Sequence, residues 1–415
     1  MAPVPTLLVL PRYPHPESGT GQRSLLFLDA AARLGPVHVV LTDGSGPLEQ
    51  LRARPGVGSV SALASPRITP AGRLGRATVG ATRLIVPDLA YRPDPALRGA
   101  LTALAGTTGA RAVIFRYTAP HCAAGLDDRP GLRVMVDVDD RDDQKYASRL
   151  ARRFGTAFTR FGPAAPFLSR LRAVLRRKLA RAGLVWFAAP DDVWPLGGVE
   201  TRVLSNAPHA APDTPPPLDP ETRAVLFVGS FAHRPNQDGV RWFLEHCWAD
   251  IRAACPAARF RIVGSGDWPR LAADFPRLDG VDYVGRVADL EAEYAAARVC
   301  ICPVREGGGS KIKVIEAAAF ARPVVGSSHA LRGFDPRLTA HAVGSDSPAA
   351  QVAACIGYLR DARRAEADGR ALHAVQQAAH SRAAAIDAIR GDITLALAGE
   401  AQDVTPARTP PEPPR

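Results

Sequence analysis

What most constrains this chain is a repeated unit: a short run of apolar residues that ends in a polar or glycine-bearing turn and leads into a helix-forming stretch. TLLVL (Thr6–Leu10), RAVIFR (Arg111–Arg116), LRVMVD (Leu132–Asp137) and Leu184–Ala188 supply it in the first half. AVLFVGS, FRIVGSG, Val281–Tyr283, Val299–Pro303 and PVVGSS (Pro323–Ser328) supply it in the second. Strands without polar alternation are buried on both faces, the condition of a parallel sheet covered by helices on either side. Their alternation with helices predicts an α/β fold built from doubly wound parallel sheets with right-handed crossovers.

Length divides the pattern in two. At 415 residues the chain exceeds the roughly 250–300 residues at which a single core stops growing. The proline-dense stretch PHAAPDTPPPLDPETR supports neither helix nor sheet core and marks the boundary. The reading is a first Rossmann-like domain over 1–207, a linker over 208–222, a second Rossmann-like domain over 223–375, and a helix over 376–398 packing back toward the first domain. The segment 399–415 reads as a disordered tail. Within the first half a helix is expected from Gln22 to Leu34, a strand in PVHVVLTDG, a partly helical and irregular Pro66–Pro95, and a long basic helical region from Tyr146 to Ala182 broken near Gly162-Pro163. The second half adds a helix from about Gln237 to Ala254 and a helical region from about Ala349 to Ala398.

The charge balance, 52 Lys+Arg against 41 Asp+Glu for a net +11, suits an anionic partner such as a nucleotide or a phospholipid, although an arginine-rich proteome produces part of it. No nucleic-acid-binding module is recognisable, so nucleic acid is not an expected partner. From Arg149 to Arg181 every charged residue is basic, with Phe154, Phe158, Phe161 and Phe167 interleaved. Such a surface binds anionic lipid headgroups or is a solvated helix face. The six cysteines are scattered in apolar runs and read as reduced core residues, which points to the cytosol; Cys300 and Cys302 share a strand face and are poor grounds for a metal. The N-terminal apolar run is short and lacks a basic leader, and no apolar span reaches about 18 residues, so neither a signal peptide nor a transmembrane helix is expected.

In open parallel sheets, ligands bind at the carboxyl ends of the strands. The turns there in the second half are Gly229-Ser230 with His233, Arg234 and Asn236, then Gly264-Ser265-Gly266, then Gly285-Arg286-Val287, and finally EGGGSKIKVIE. In the last of these a strand end meets Gly307-Gly308-Gly309-Ser310, and a helix opens near Lys311. Glycines let backbone amides converge, and a helix N-terminus adds unsatisfied N–H groups and partial positive charge. Lys311 and Lys313 reinforce this anion site, and Glu316 lies where a carboxylate accepts from ribose hydroxyls, so the combination suggests a nucleoside diphosphate.

The first half offers Gly19-Thr20-Gly21 ahead of a helix, with Asp43 at the next strand end, superficially a dinucleotide fingerprint. The glycines follow the strand too late and Ser24 stands at the third position, so a flexible loop facing the other domain is the better account. The acidic turn Asp137-Val138-Asp139-Asp140, with Asp142 and Asp143, is suited to orienting acceptor hydroxyls, holding a metal, or capping the next helix. His15 and His121 lie in turns after first-domain strands as substrate-side or plain surface histidines.

With these residues in hand, the second half from VLFVGSFAHRPNQDGVRWF to EGGGSKIKVIEAAAFARPVV resembles the donor-binding domain of retaining family 4 glycosyltransferases of the kind that serve bacterial polysaccharide biosynthesis. The first half is similar in order, through YPHPESGTGQRS, VDVDD, WFAAPDDVWPL and SNAP. The resemblance implies a GT-B architecture with the donor in the second domain and the acceptor mainly in the first, a cytoplasmic enzyme at the inner membrane face, a glycan or lipid-linked acceptor, and a UDP- or GDP-linked sugar as co-substrate with no cofactor or metal. It implies Arg234 and Lys311 as catalytic residues, to which the acidic turn adds Asp140. Gly229, Asn236, Gly264, Val287, Gly308, Gly309, Ser310, Lys313 and Glu316 would face the donor, and Gly19, Gly21 and His121 the acceptor. The family's paired glutamates are eight positions apart, the first approaching the sugar; here that position is Gly308, and the nearest acid, Glu306, is ten before Glu316. A nucleotide-sugar epimerase and a non-catalytic nucleotide-sugar-binding subunit are the alternatives.

Overall fold

The computed structural model describes residues 2–65, 68–209, 211–275 and 278–403, with side chains to 398. Its first sheet has seven strands: β1 (Thr6–Leu10), β2 (Val37–Leu41), β3 (Val57–Ala62), β4 (Ala112–Arg116), β5 (Arg133–Asp139), β6 (Leu184–Phe187) and β7 (Glu200–Val203), in the order β3-β2-β1-β4-β5-β6-β7. The second has six: β8 (Ala224–Val228), β9 (Arg259–Val263), β10 (Val281–Gly285), β11 (Ala297–Cys302), β12 (Val324–Gly326) and β13 (Val343–Gly344), in the order β10-β9-β8-β11-β12-β13. Every pairing is parallel. Each sheet has a hydrophobic cluster on both faces, as its apolar strands require.

Several local expectations are corrected. Gly19 and Gly21 are not a flexible loop: they form the first turn of the helix Gly19–Ala32, whose Ser18 cap accepts from the Gly21 N–H at 3.1 Å. Gly21 is glycine because the His15 carbonyl lies 1.9 Å from where its Cβ would be. The basic region is three helices, Asp142–Phe154, Thr156–Arg160 and Ala165–Leu179, broken at Gly155 as well as near Gly162. The helix expected from Gln237 begins at Arg234 and continues through a π-helical turn at Leu244–Trp248 to Ala254. His121 belongs to the helix Thr118–Ala124 rather than a loop.

Proline deprives the linker of N–H donors but leaves its carbonyls needing partners. Two buried arginines meet them. Arg322 donates to the Pro216 and Pro217 carbonyls, and Arg298 to those of Asp219, Pro220 and Thr222, so the linker is strapped to the second domain. The chain then returns. Helix Arg382–Asp403 packs along Gly19–Ala32, burying Ile386, Ile389 and Ile393, and Asp392 accepts from Trp186 Nε1 at 2.7 Å. That helix runs five residues into the segment read as a tail; 404–415 lie outside the described residues.

Candidate functional site

The carboxyl ends of both sheets meet at the glycine loop. Beyond β11 the chain turns through Gly307 (φ 100°) and Gly309 (φ 64°) into the helix Ile312–Ala319, with Lys311 at its cap. The Lys311 ammonium folds back over the loop, donating to the carbonyls of Gly307 (3.3 Å), Gly308 (2.7 Å) and Gly309 (3.3 Å). Burial lowers its pKa, opposed by the Asp140 carboxylate. His329 Nε2 contacts the Gly307 carbonyl at 2.8 Å, and burial with the Lys311 and Arg332 charges brings its pKa down to about 4, keeping the ring neutral.

Around this loop the second domain sets its other turns. Lys313 Nζ donates to Asn236 Oδ1 at 3.0 Å, and Asn236 Nδ2 to the Ser230 carbonyl at 2.9 Å. Gly229 and Gly264 are packing glycines: a Cβ on Gly264 would lie 2.0 Å from the Gly229 carbonyl oxygen, and one on Gly229 would lie 2.6 Å from Asn236 Nδ2. Val287 is half-buried beyond β10. Arg234 opens its helix exposed, held by Asp238 at 2.9 Å and Gln237 at 3.1 Å. Glu316 is buried on the helix after the loop, accepting from Tyr294 Oη at 3.2 Å and Gln22 Nε2 at 3.3 Å; burial raises its pKa.

The first domain presents acids to the same loop. β5 ends in an irregular register between Asp137 and Asp139, and Asp139 takes a left-handed conformation (φ 53°) uncommon for an L residue. Asp137 is enclosed by Arg23 (2.6 Å) and by Arg116; Asp139 accepts from Arg116 (3.0 Å) and Tyr117 Oη (3.2 Å). This holds the turn so that Asp140 points at Gly308 and Gly309. Burial and the Asp139 carboxylate raise the Asp140 pKa, against Lys145 and Lys311. Asp192, buried after β6, takes the Gly309 N–H at 3.4 Å and Gln144 Nε2 at 2.6 Å. Ser310 also joins the domains: its Oγ accepts from the Asn206 N–H at 2.9 Å and its carbonyl from Asn206 Nδ2 at 2.8 Å.

The structure thus gathers Lys311, Gly308, Gly309 and Asp140 at one place, with Lys313, Asn236 and Glu316 along the second-domain wall. Gly19 faces Ile312 across the interface. His121 is buried against Phe115 with Asp127 at 2.6 Å, its partners all within the first domain. Sequence reasoning missed Gln22, Asp192, Gln144, Asn206 and Tyr294; Asp192 was within reach, since it follows β6 at its carboxyl end. A cavity of about 670 Å³ lined by Asp191, His329 and Arg332 opens beside the loop. Among the described residues no group of three or more His, Cys, Asp or Glu has metal-binding geometry.

Comparison with known proteins gives the arrangement a fold. Residues 222–361 match the family model for glycosyl transferases group 1. Sucrose-phosphate synthase from Thermosynechococcus elongatus superposes with a TM-score of 0.69 at 19% identity over 95% of this chain and 100% of that one. HepE from Anabaena, solved in complex with UDP, gives 0.63 at 12% identity over 95% and 100%. WaaG, a glycosyltransferase involved in lipopolysaccharide biosynthesis, gives 0.56 at 14% over 93% and 100%. No curated protein sequence matches the chain. The second domain is similar to glycosyl transferases group 1 over the matched residues, and the two sheets form the GT-B architecture that the sequence resemblance implied.

Proposed function

We propose that the chain transfers a sugar from a nucleoside diphosphate to a glycan or lipid-linked acceptor with retention of anomeric configuration, without cofactor or metal. The observation that carries this is the glycine loop at a helix N-terminus, with Lys311 over it, Lys313 beside it and the buried Glu316 one turn on. Helix-terminal amides and lysines suit a diphosphate, and Glu316 suits ribose hydroxyls. UDP and UDP-glucose in the HepE structures support a nucleotide-linked donor. In the step itself the anomeric C–O bond breaks with its electron pair passing to the diphosphate. Lys311, Lys313 and an Arg234 swung from Asp238 stabilise the charge. The acceptor oxygen bonds the anomeric carbon on the same face and its proton passes to the departing phosphate oxygen.

The test is a thermal-shift screen against UDP-, GDP- and ADP-sugars, followed by nucleoside diphosphate release with and without a glycan acceptor. A ligand at about 100 times its Kd stabilises by about 2.7 kcal/mol. Acceptor-dependent release that disappears in Lys311→Ala and Glu316→Ala supports transfer. Interconversion of nucleotide sugars without acceptor identifies an epimerase, and binding without turnover a non-catalytic subunit.

The acceptor side carries a specific surface. Helices Gly72–Ile85, Pro87–Ala90, Asp142–Phe154, Thr156–Arg160 and Ala165–Leu179 pack together and, with Val86 between the first two and Phe161 between the last two, expose Leu74, Ile85, Val86, Leu89, Phe154, Phe161 and Phe167. These are seven of the nine large apolar side chains exposed among the described residues, and they stand among Arg73, Arg76, Arg153 and Arg160. Apolar tips within basic charge fit an anionic bilayer, where a lipid-linked acceptor resides. Among the described residues no helix is long and apolar enough to cross a membrane.

A further inference from the structure

Three glycines form the loop, and the backbone requires only two of them. Gly307 and Gly309 have positive φ; Gly308 does not. What a side chain at 308 would first meet lies in the other domain: a Cβ there would sit 2.7 Å from Asp140 Oδ1 and 3.2 Å from Gln144 Oε1, and a Cβ on Gly309 would meet the same Asp140 oxygen at 2.9 Å. The space a residue at 308 would fill is already taken by a first-domain carboxylate.

We propose that Asp140 is the sugar-recognising carboxylate of the donor site, supplied across the domain interface at the place where the second-domain loop bears no side chain. This rests on the glycosyl-transfer reading. The groups suited to the nucleoside diphosphate, Glu316, Asn236 and Lys313, all belong to the second domain, while the first domain meets the glycine loop through Asp140, Gln144 and Asp192. A sugar is joined directly to the terminal phosphate, so a phosphate at this loop puts the sugar against those three residues. Gln144 Oε1 is buried with no hydrogen-bond partner among the described residues, and such an acceptor needs a donor. Sugar hydroxyls supply donors to it and to Asp140. The turn is built to hold Asp140 still, through the left-handed Asp139 and its bonds to Arg116 and Tyr117. Sugar recognition therefore requires the two domains closed together, whereas nucleotide recognition does not.

The experiment compares calorimetric affinity for free UDP and GDP with affinity for UDP-glucose, UDP-N-acetylglucosamine and GDP-mannose. Asp140→Asn is expected to weaken the best nucleotide sugar about tenfold or more while changing the free nucleoside diphosphate less than about twofold. The exchange variant Asp140→Gly with Gly308→Asp brings a carboxylate to the same gap from the other side, and Gly308 has the backbone to accept it. It is expected to recover most of the sugar-dependent affinity. An unchanged affinity ratio in Asp140→Asn overturns the assignment while leaving the donor reading intact. Should Asp140→Asn not fold, the exchange variant decides, and no recovery overturns the assignment. If the wild-type protein binds neither UDP nor GDP, with or without sugar, the donor reading itself fails and this assignment with it.

Discussion

Gln22 and Glu316 share a hydrogen bond across the two domains, Nε2 donating to Oε1 over 3.3 Å, while the Gln22 oxygen accepts the His209 backbone N–H at 3.1 Å. One side chain thereby joins the first helix, the linker and the helix after the glycine loop. Gln22→Ala leaves a buried carboxylate short of a donor and an N–H short of an acceptor. Urea denaturation is expected to show a loss of about 1–3 kcal/mol. A midpoint unchanged from wild type would mean that water substitutes for both bonds.

Glu316 carries a penalty that depends on pH. Burial is the largest influence on it and raises its pKa, with Gln22, Tyr294 and Lys313 acting in the other direction. A carboxyl with a raised folded pKa contributes stability that is fully present below its unfolded pKa and lost as pH rises through the folded value. Glu316→Gln keeps the shape without the charge, so its melting temperature is expected to exceed that of wild type by more at pH 8 than at pH 5. Nucleotide binding should fall in the same variant. Melting curves across pH that run parallel for the two proteins would remove Glu316 as the source.

Much of this was legible because the strands are uniformly apolar. β1, β4, β8 and β11 read directly from TLLVL, AVIFR, AVLFV and ARVCIC. β3, VGSVSA, did not: it is an edge strand with only Val60 buried, so glycine and serine interrupt the pattern. β13 is two residues long and has no pattern to read. At the site, the glycine loop announced itself through local sequence, whereas Gln22, Gln144 and Asp192 are ordinary polar residues whose importance comes from groups far away in the chain. The strapping arginines Arg298 and Arg322 were illegible for the same reason, since their partners are carbonyls. The glycine at 308 reads as part of an amide cradle in sequence and as room for Asp140 in three dimensions.

The acidic turn depends on a buried network that is costly to break. Asp137 lies fully buried between Arg23 and Arg116, whose side chains are also enclosed. Asp137→Ala leaves two guanidiniums with Asp139 as their remaining carboxylate, and removing one member of such a pair costs about 3–5 kcal/mol. The variant is expected to lose that much in chemical denaturation and to lose sugar-dependent binding along with the Asp140 geometry. Acid should act on the same network. Burial disfavours the Asp139 charge, but Arg116 and Arg23 outweigh it and hold its pKa below the usual carboxylate range. Its contribution is therefore present above the unfolded pKa and lost only as pH falls through the folded one.

The exposed aromatic residues distinguish membrane contact from simple charge. Arginine alone attracts anionic vesicles through a screened interaction that high salt removes, whereas Phe154 and Phe161, with Leu74 beyond them, add apolar area that salt does not weaken. Sedimentation with vesicles rich in phosphatidylglycerol is expected to retain the protein at low salt and release most of it at high salt, with neutral vesicles retaining little. Phe154→Ser with Phe161→Ser should reduce retention at low salt without altering net charge, leaving melting temperature near wild type because both rings are exposed. Arg153→Gln with Arg160→Gln should instead flatten the salt dependence. If neutral and anionic vesicles retain the wild-type protein equally, the basic helices have another role.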